Sequence, residues 1–121
     1  VTEGAPIDAA LVVRLGADRW SIPVGAVIEV LRGQTLTRVP GADPVVLGLV
    51  NHRGRVLTVG DPARALGVPD AGATVRDLVV VEPPGHPRFA IMVDAAIELA
   101  GDARTGLAPM DLDLIATAIF A

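Results

Sequence analysis

Residues 45–67, VVLGLVNHRGRVLTVGDPARALG, constrain what this chain can fold into more than any other stretch. Leu47, Leu49 and Val50 lie before a polar run, Asn51-His52-Arg53-Gly54, and Val56, Leu57 and Val59 lie after it. Two apolar runs about a short Gly-bearing turn spell a β-hairpin. Gly54 adopts the positive φ of the turn's later position at little cost, whereas a residue with a Cβ would be strained. Arg53 beside it projects from the tip, where its charge stays solvated. The hairpin then runs into Asp61-Pro62, an acceptor at a helix N-cap followed by proline at the first helical position. Ala63 to Leu66 continue that helical turn and Gly67 closes it.

The rest of the chain is read around this hairpin. At 121 residues it is one domain, or two very small subdomains sharing a core. Hydrophobic residues make up 51% of it, enough to bury a core. Residues 1–8 are small and polar and read as a flexible arm. Leu11–Leu15 and Trp20–Ile22 form a first hairpin about Gly16–Arg19, with Trp20 facing the core. Pro23 breaks that strand, and Val24–Glu29 can form a helical turn with Val24, Val27 and Ile28 on one face. Thr37–Val39 is extended, because Pro40 biases Val39 away from helix. Residues 68–74, bearing Pro and Gly, mark a boundary. Leu78–Val81 is a continuous apolar strand suited to burial on both faces. A rigid turn over 82–87, with His86 solvated, leads to a strand at Phe89–Val93. Further extended segments fall at 96–99 and 107–110, and 115–120 is a last apolar segment. Strands at short intervals, with no amphipathic segment of about ten residues between them, argue an all-β sandwich or a pair of small barrels.

The sequence also excludes several kinds of chemistry. Ser21 is the only serine and lies in a strand, without the exposed turn that a nucleophile needs. There is no phosphate-cradling glycine loop. Cysteine is absent, so there is neither a disulfide frame nor a thiolate metal site. His52 and His86 are far apart with no ligand spacing around them, and no metal or other cofactor is expected. Asp111 and Asp113 read as a solvated acidic loop. The net charge of −4, the lack of a basic stripe and only three aromatics, Trp20, Phe89 and Phe120, argue against nucleic acid. No apolar run is long enough to enter a bilayer. The start carries no signal segment, and Val1 in place of Met suggests a trimmed end, so a cytoplasmic location is expected. A strand-rich domain without catalytic groups is most naturally a binding module.

The order apolar-Gly-apolar-apolar-Asn-x-Arg-Gly, from Leu47 through Gly54 to Asp61, resembles the CheW-like domain of bacterial chemotaxis coupling proteins. The likeness extends over Leu11–Trp20, Ile22-Pro23-Val24, Val27–Val30, Val39-Pro40, the Val79–Val81 strand, Val93-Asp94 and Leu107-Ala108-Pro109. It implies an all-β fold of two small SH3-like five-stranded barrels packed together, with short helical turns and no catalysis. A single domain over 9–121 would divide into a first barrel at about 10–67, a linker at 68–74 and a second barrel at about 75–121. It implies an adaptor that joins the regulatory domain of a CheA-type histidine kinase to the cytoplasmic tip of a chemoreceptor. The partner-binding residues carried over are Arg53, Glu29 as its ion-pair neighbour, Gly48 at the same surface, and Asn51 and Gly54 of the turn.

Three departures from the family pattern carry their own expectations. Gly60 and Pro62 tighten the entry to the helix and leave an apolar site unfilled. His52 stands where the family usually has an apolar or other residue, so the tip is expected to differ slightly. The chain stops at Ala121, short of the family's final hairpin and helix. The second barrel is therefore expected to be incomplete, with Ile115–Phe120 an unpaired edge strand open to self-association. The alternative reading is a divergent barrel that self-associates or regulates a different signalling partner.

Overall fold

A computed structural model describes residues 9–69, 76–101 and 106–120. The expected arm at 1–8 lies outside them, as does all of the 68–74 boundary except its first two residues. The described chain is mostly β, in two sheets. In the first, β1 (Ala10–Leu15) and β2 (Asp18–Pro23) pair antiparallel from Ala10↔Pro23 to Leu15↔Asp18. β8 (Ala95–Ala100) adds antiparallel to the other side of β1, and the two-residue β9 (Ala108–Pro109) runs parallel to β2. The second sheet has the order β3 (Val27–Arg32), β6 (Asp77–Val81), β7 (Phe89–Val93), β5 (Arg55–Gly60) and β4 (Val46–His52).

This second sheet curls until its two edges meet. After β3 the chain returns along β4, where Thr37 and Leu49 exchange backbone hydrogen bonds of 2.9 and 2.7 Å. Gly48 makes that approach possible, since a Cβ there would stand 2.6 Å from the Thr37 carbonyl oxygen. The result is a five-stranded barrel packed on a four-stranded sheet.

β6 explains how the two halves cohere. Its run Leu78–Val81 is buried on both faces, as a continuous apolar strand should be. Val79 and Val81, with Phe89, Ile91 and Val93 of β7, face Leu11, Val13, Leu15 and Ile22 of the other sheet. Leu78, Val80 and Ala90 face into the barrel against Val50, Leu57 and Val59. Trp20 packs against the first cluster, as its place beside Ile22 suggests.

The structure departs from the sequence expectations at several points. The sheets do not divide at residues 68–74: each draws strands from both sides of that boundary. Consecutive strands pair in β1–β2, β4–β5 and β6–β7, whereas β1–β8, β2–β9, β3–β6 and β5–β7 join strands distant in the chain. The helical turn expected over Val24–Glu29 is a single 3₁₀ turn, Val24–Ala26, and Val27 already pairs with Val81 in a ladder. The largest correction is at the C-terminal end. Ile115–Phe120 is no edge strand but part of a helix, α2 (Leu112–Phe120), so that basis for self-association is lost. Asp111 Oδ1 accepts the Leu114 N–H at 3.0 Å, an N-cap in place of the expected acidic loop. Leu112, Ile115 and Ala116 bury one face of α2 in the core, and Ile119 packs beside them. Phe120 meets Phe89 edge to face, with ring centroids 5.8 Å apart.

α2 also answers the expectation of an unfilled site at Gly60. Ile119 occupies that space: a Cβ on Gly60 would collide with its Cδ1. The short helix α1 (Pro62–Leu66) is as read from sequence. Asp61 Oδ1 accepts the Arg64 N–H at 3.2 Å, Pro62 opens the helix, and Gly67 at φ 72° closes it.

Candidate docking surface at the hairpin tip

The β4–β5 hairpin pairs His52 with Arg55, so its loop is Arg53-Gly54 alone. Both residues take positive φ, 53° and 81°, as a two-residue type I′ turn requires. Glycine does this freely. Arg53 does not, and among the described residues it is the one non-glycine in that region. Asn51 holds the turn from one side, its Oδ1 accepting the Gly54 N–H at 3.0 Å.

Closure of the barrel brings Glu29 of β3 to this tip from the opposite edge of the sheet. Arg53 Nη2 lies 3.1 Å from Glu29 Oε1 and 3.3 Å from Oε2. The Arg53 side chain is 76% exposed, and such a pair adds little to stability; its value is orientation. Glu29 has a second partner, His52, whose Nε2 lies 2.9 Å from Oε1. The His52 ring is buried, at 3% exposure. The hydrogen bond from His52 is the main reason the Glu29 carboxyl lies below its ordinary range. Partial burial works against this, and the Arg53 charge adds to it.

Four of the five residues singled out from sequence thus meet here: Glu29 and Arg53 as a pair, Asn51 and Gly54 as the turn that presents them. Gly48 is not at the exposed surface. It is buried beneath the Leu36–Thr37 backbone, where it allows the barrel to close. His52 was missed as a member of the site, yet strand parity could have found it. Gly48 and Val50 are the buried positions of β4, and the next inward position is 52.

His86 differs from expectation as well. It is not a free loop residue: its Nε2 lies 2.9 Å from Asp113 Oδ1 and ties the β6–β7 turn to the start of α2. Beside that contact an open groove of about 720 Å³ runs between Pro23, Ala26, Pro83, Pro84, Met110 and Leu112. The two histidines have separate carboxylate partners, and among the described residues no group of three or more His, Cys, Asp or Glu converges as a metal site would. Ser21 is buried in β2. No described helix is long and apolar enough to cross a membrane.

Comparison with known proteins adds to this geometry. The profile of the CheW-like domain matches residues 9–101. The chemotaxis protein CheW of Rhizobium meliloti is 31% identical over 86 residues, 71% of this chain and 56% of that protein. Protein FrzA of Myxococcus xanthus is 33% identical over 86 residues, 71% of this chain and 54% of that protein. The chain therefore spans little more than half the length of these relatives. The crystal structure of the scaffolding protein TtCheW from Thermoanaerobacter tengcongensis shares the fold. Its TM-score is 0.73 at 22% identity, covering 80% of this chain and 66% of that one. The profile spans most of both sheets and includes the whole Glu29–Arg53 tip, so this chain belongs to the CheW-like domain family.

Proposed function

We propose that this chain is a non-catalytic adaptor of the cytoplasm, coupling the tips of chemoreceptors to the regulatory domain of a CheA-type histidine kinase. Membership of the CheW-like family supports the adaptor role, as do relatives named chemotaxis protein CheW and scaffolding protein. The observation that carries the reading is the tip itself. Arg53 is held in a backbone conformation that its side chain disfavours, and its exposed guanidinium is paired with the half-buried Glu29 carboxylate. Strain of this kind persists where the surrounding structure imposes it, and it gathers at binding sites. Asn51 and Gly54 set the turn, and Gly48 supports it from beneath by letting the barrel close.

Binding of the purified chain to a kinase regulatory domain and to a receptor-tip segment tests this reading. Binding to both is expected, and a folded sample that binds neither overturns it. Arg53→Ala is expected to weaken receptor-tip binding by about tenfold or more, as loss of an interface arginine commonly does, with melting unchanged. Loss of folding instead would make Arg53 a structural residue.

A further inference from the structure

The bond between His52 and Glu29 joins the two edge strands of the barrel sheet at the end where Arg53 is displayed. A buried polar side chain needs its partners, and this one has a single partner. Nε2 meets Glu29 Oε1 at 2.9 Å, while Nδ1 is buried without a hydrogen-bond partner among the described residues. A proton on Nδ1 would be a buried donor with no acceptor. A proton on Nε2 is donated to a carboxylate. The surroundings therefore place the donated proton on Nε2.

That choice has a consequence for Arg53. Glu29 Oε1 already accepts from His52, so the carboxylate is anchored from the barrel side. Arg53 meets it through Nη2 alone, at 3.1 and 3.3 Å, rather than by the two-nitrogen fork that a free carboxylate would accept. Nε and Nη1 of Arg53 are left without a protein acceptor among the described residues.

We propose that His52 is a positioning residue of the docking surface: as an Nε2–H donor it pins Glu29, and so keeps one N–H edge of Arg53 open for a carboxylate or backbone carbonyl of the partner. The inference rests on the adaptor reading for the identity of the partner, but not for the arrangement of the three side chains. The lowered Glu29 carboxyl agrees with a donor of this kind at its side. A purely apolar residue at position 52 would fill the space and leave Glu29 free to turn fully onto Arg53.

Three measurements on the whole chain decide it. Long-range ¹⁵N–¹H spectra report the His52 tautomer, carboxyl ¹³C shifts follow the Glu29 titration, and a receptor-tip segment reads out binding. The expected tautomer is Nε2–H. His52→Leu should raise the Glu29 carboxyl toward its ordinary range and weaken binding about threefold to tenfold, the change one ordinary hydrogen bond commonly makes. His52→Gln, whose amide N–H can reach the same oxygen, should restore both. An Nδ1–H tautomer, or a Glu29 titration indifferent to His52→Leu, overturns the proposal. So do Leu and Gln variants that bind equally weakly, since that would mark a role in packing alone. If His52→Leu does not fold, the tautomer and the Gln variant still decide. If the tautomer and Glu29 respond as expected while the unaltered chain binds no receptor tip, the positioning role stands and the adaptor reading fails.

Discussion

The hairpin tip and the C-terminal helix are each tied to the rest of the molecule by the same polar contact, an imidazole Nε2 at 2.9 Å from a carboxylate. Their surroundings are opposite. His52 is 3% exposed and Glu29 25%, whereas His86 is 27% exposed and Asp113 77%. At the tip the apolar support is slight and the polar clasp sets the geometry. At α2 the clasp is a surface ornament, and the apolar face of Leu112, Ile115 and Ala116 holds the helix in place. One contact can therefore orient a surface at one end of the molecule and contribute almost nothing at the other, because solvent screens the second more than the first.

The comparison breaks first at α2. Ile115 is fully buried there, and Ile115→Ala is expected to cost about 2–5 kcal/mol in denaturant unfolding. A cost below about 1 kcal/mol would mean that α2 does not hold its face against the core. Gly48→Ala comes next. Its methyl would press on the Thr37 carbonyl, and overpacking of this kind costs about 1–3 kcal/mol. The tip should loosen with it, seen as faster amide exchange at Thr37 and Leu49. A neutral result would show that barrel closure tolerates more space than the backbone spacing allows.

Smaller effects sharpen the contrast between the two clasps. His86→Ala is expected to move stability by no more than about 0.5 kcal/mol, as for most surface substitutions. A larger loss would put His86 among the supports of α2. The smallest effect is the pH dependence of the tip. The Glu29 carboxyl is lowered in the folded chain, so its contribution is full above its ordinary value of 4.5 and is lost as pH falls through the lower folded value. The stability difference between the unaltered chain and Glu29→Gln should accordingly shrink on acidification through that window. A difference that stays constant with pH would mean the carboxylate charge does not act at the tip.

Much of the fold was legible because its causes are local. The Asn-x-Arg-Gly turn, the Asp61-Pro62 start and the Gly67 end of α1 each depend on residues within a few positions of one another, and the structure has them as read. α2 is legible in the same local way, since Leu112, Ile115, Ala116 and Ile119 have helical spacing behind the Asp111 cap, although the family pattern points to a strand pair there. The 23-residue separation of Glu29 from His52 was different in kind. No spacing rule links them, and the Glu29–Arg53 pair was expected only through the family resemblance.

Turn chemistry, apolar runs and caps act over neighbouring residues, and they suffice for the hairpin with Arg53 at its tip, the doubly buried strand Leu78–Val81 and the capped turn at Asp61. Which strands share a sheet, the filling of the space over Gly60 by Ile119, and the placing of Glu29 between a buried histidine and an exposed arginine arise only when the chain is packed. Those outcomes depend on apolar faces and strand edges meeting from distant parts of the chain, and that meeting is settled by the packing of the whole core.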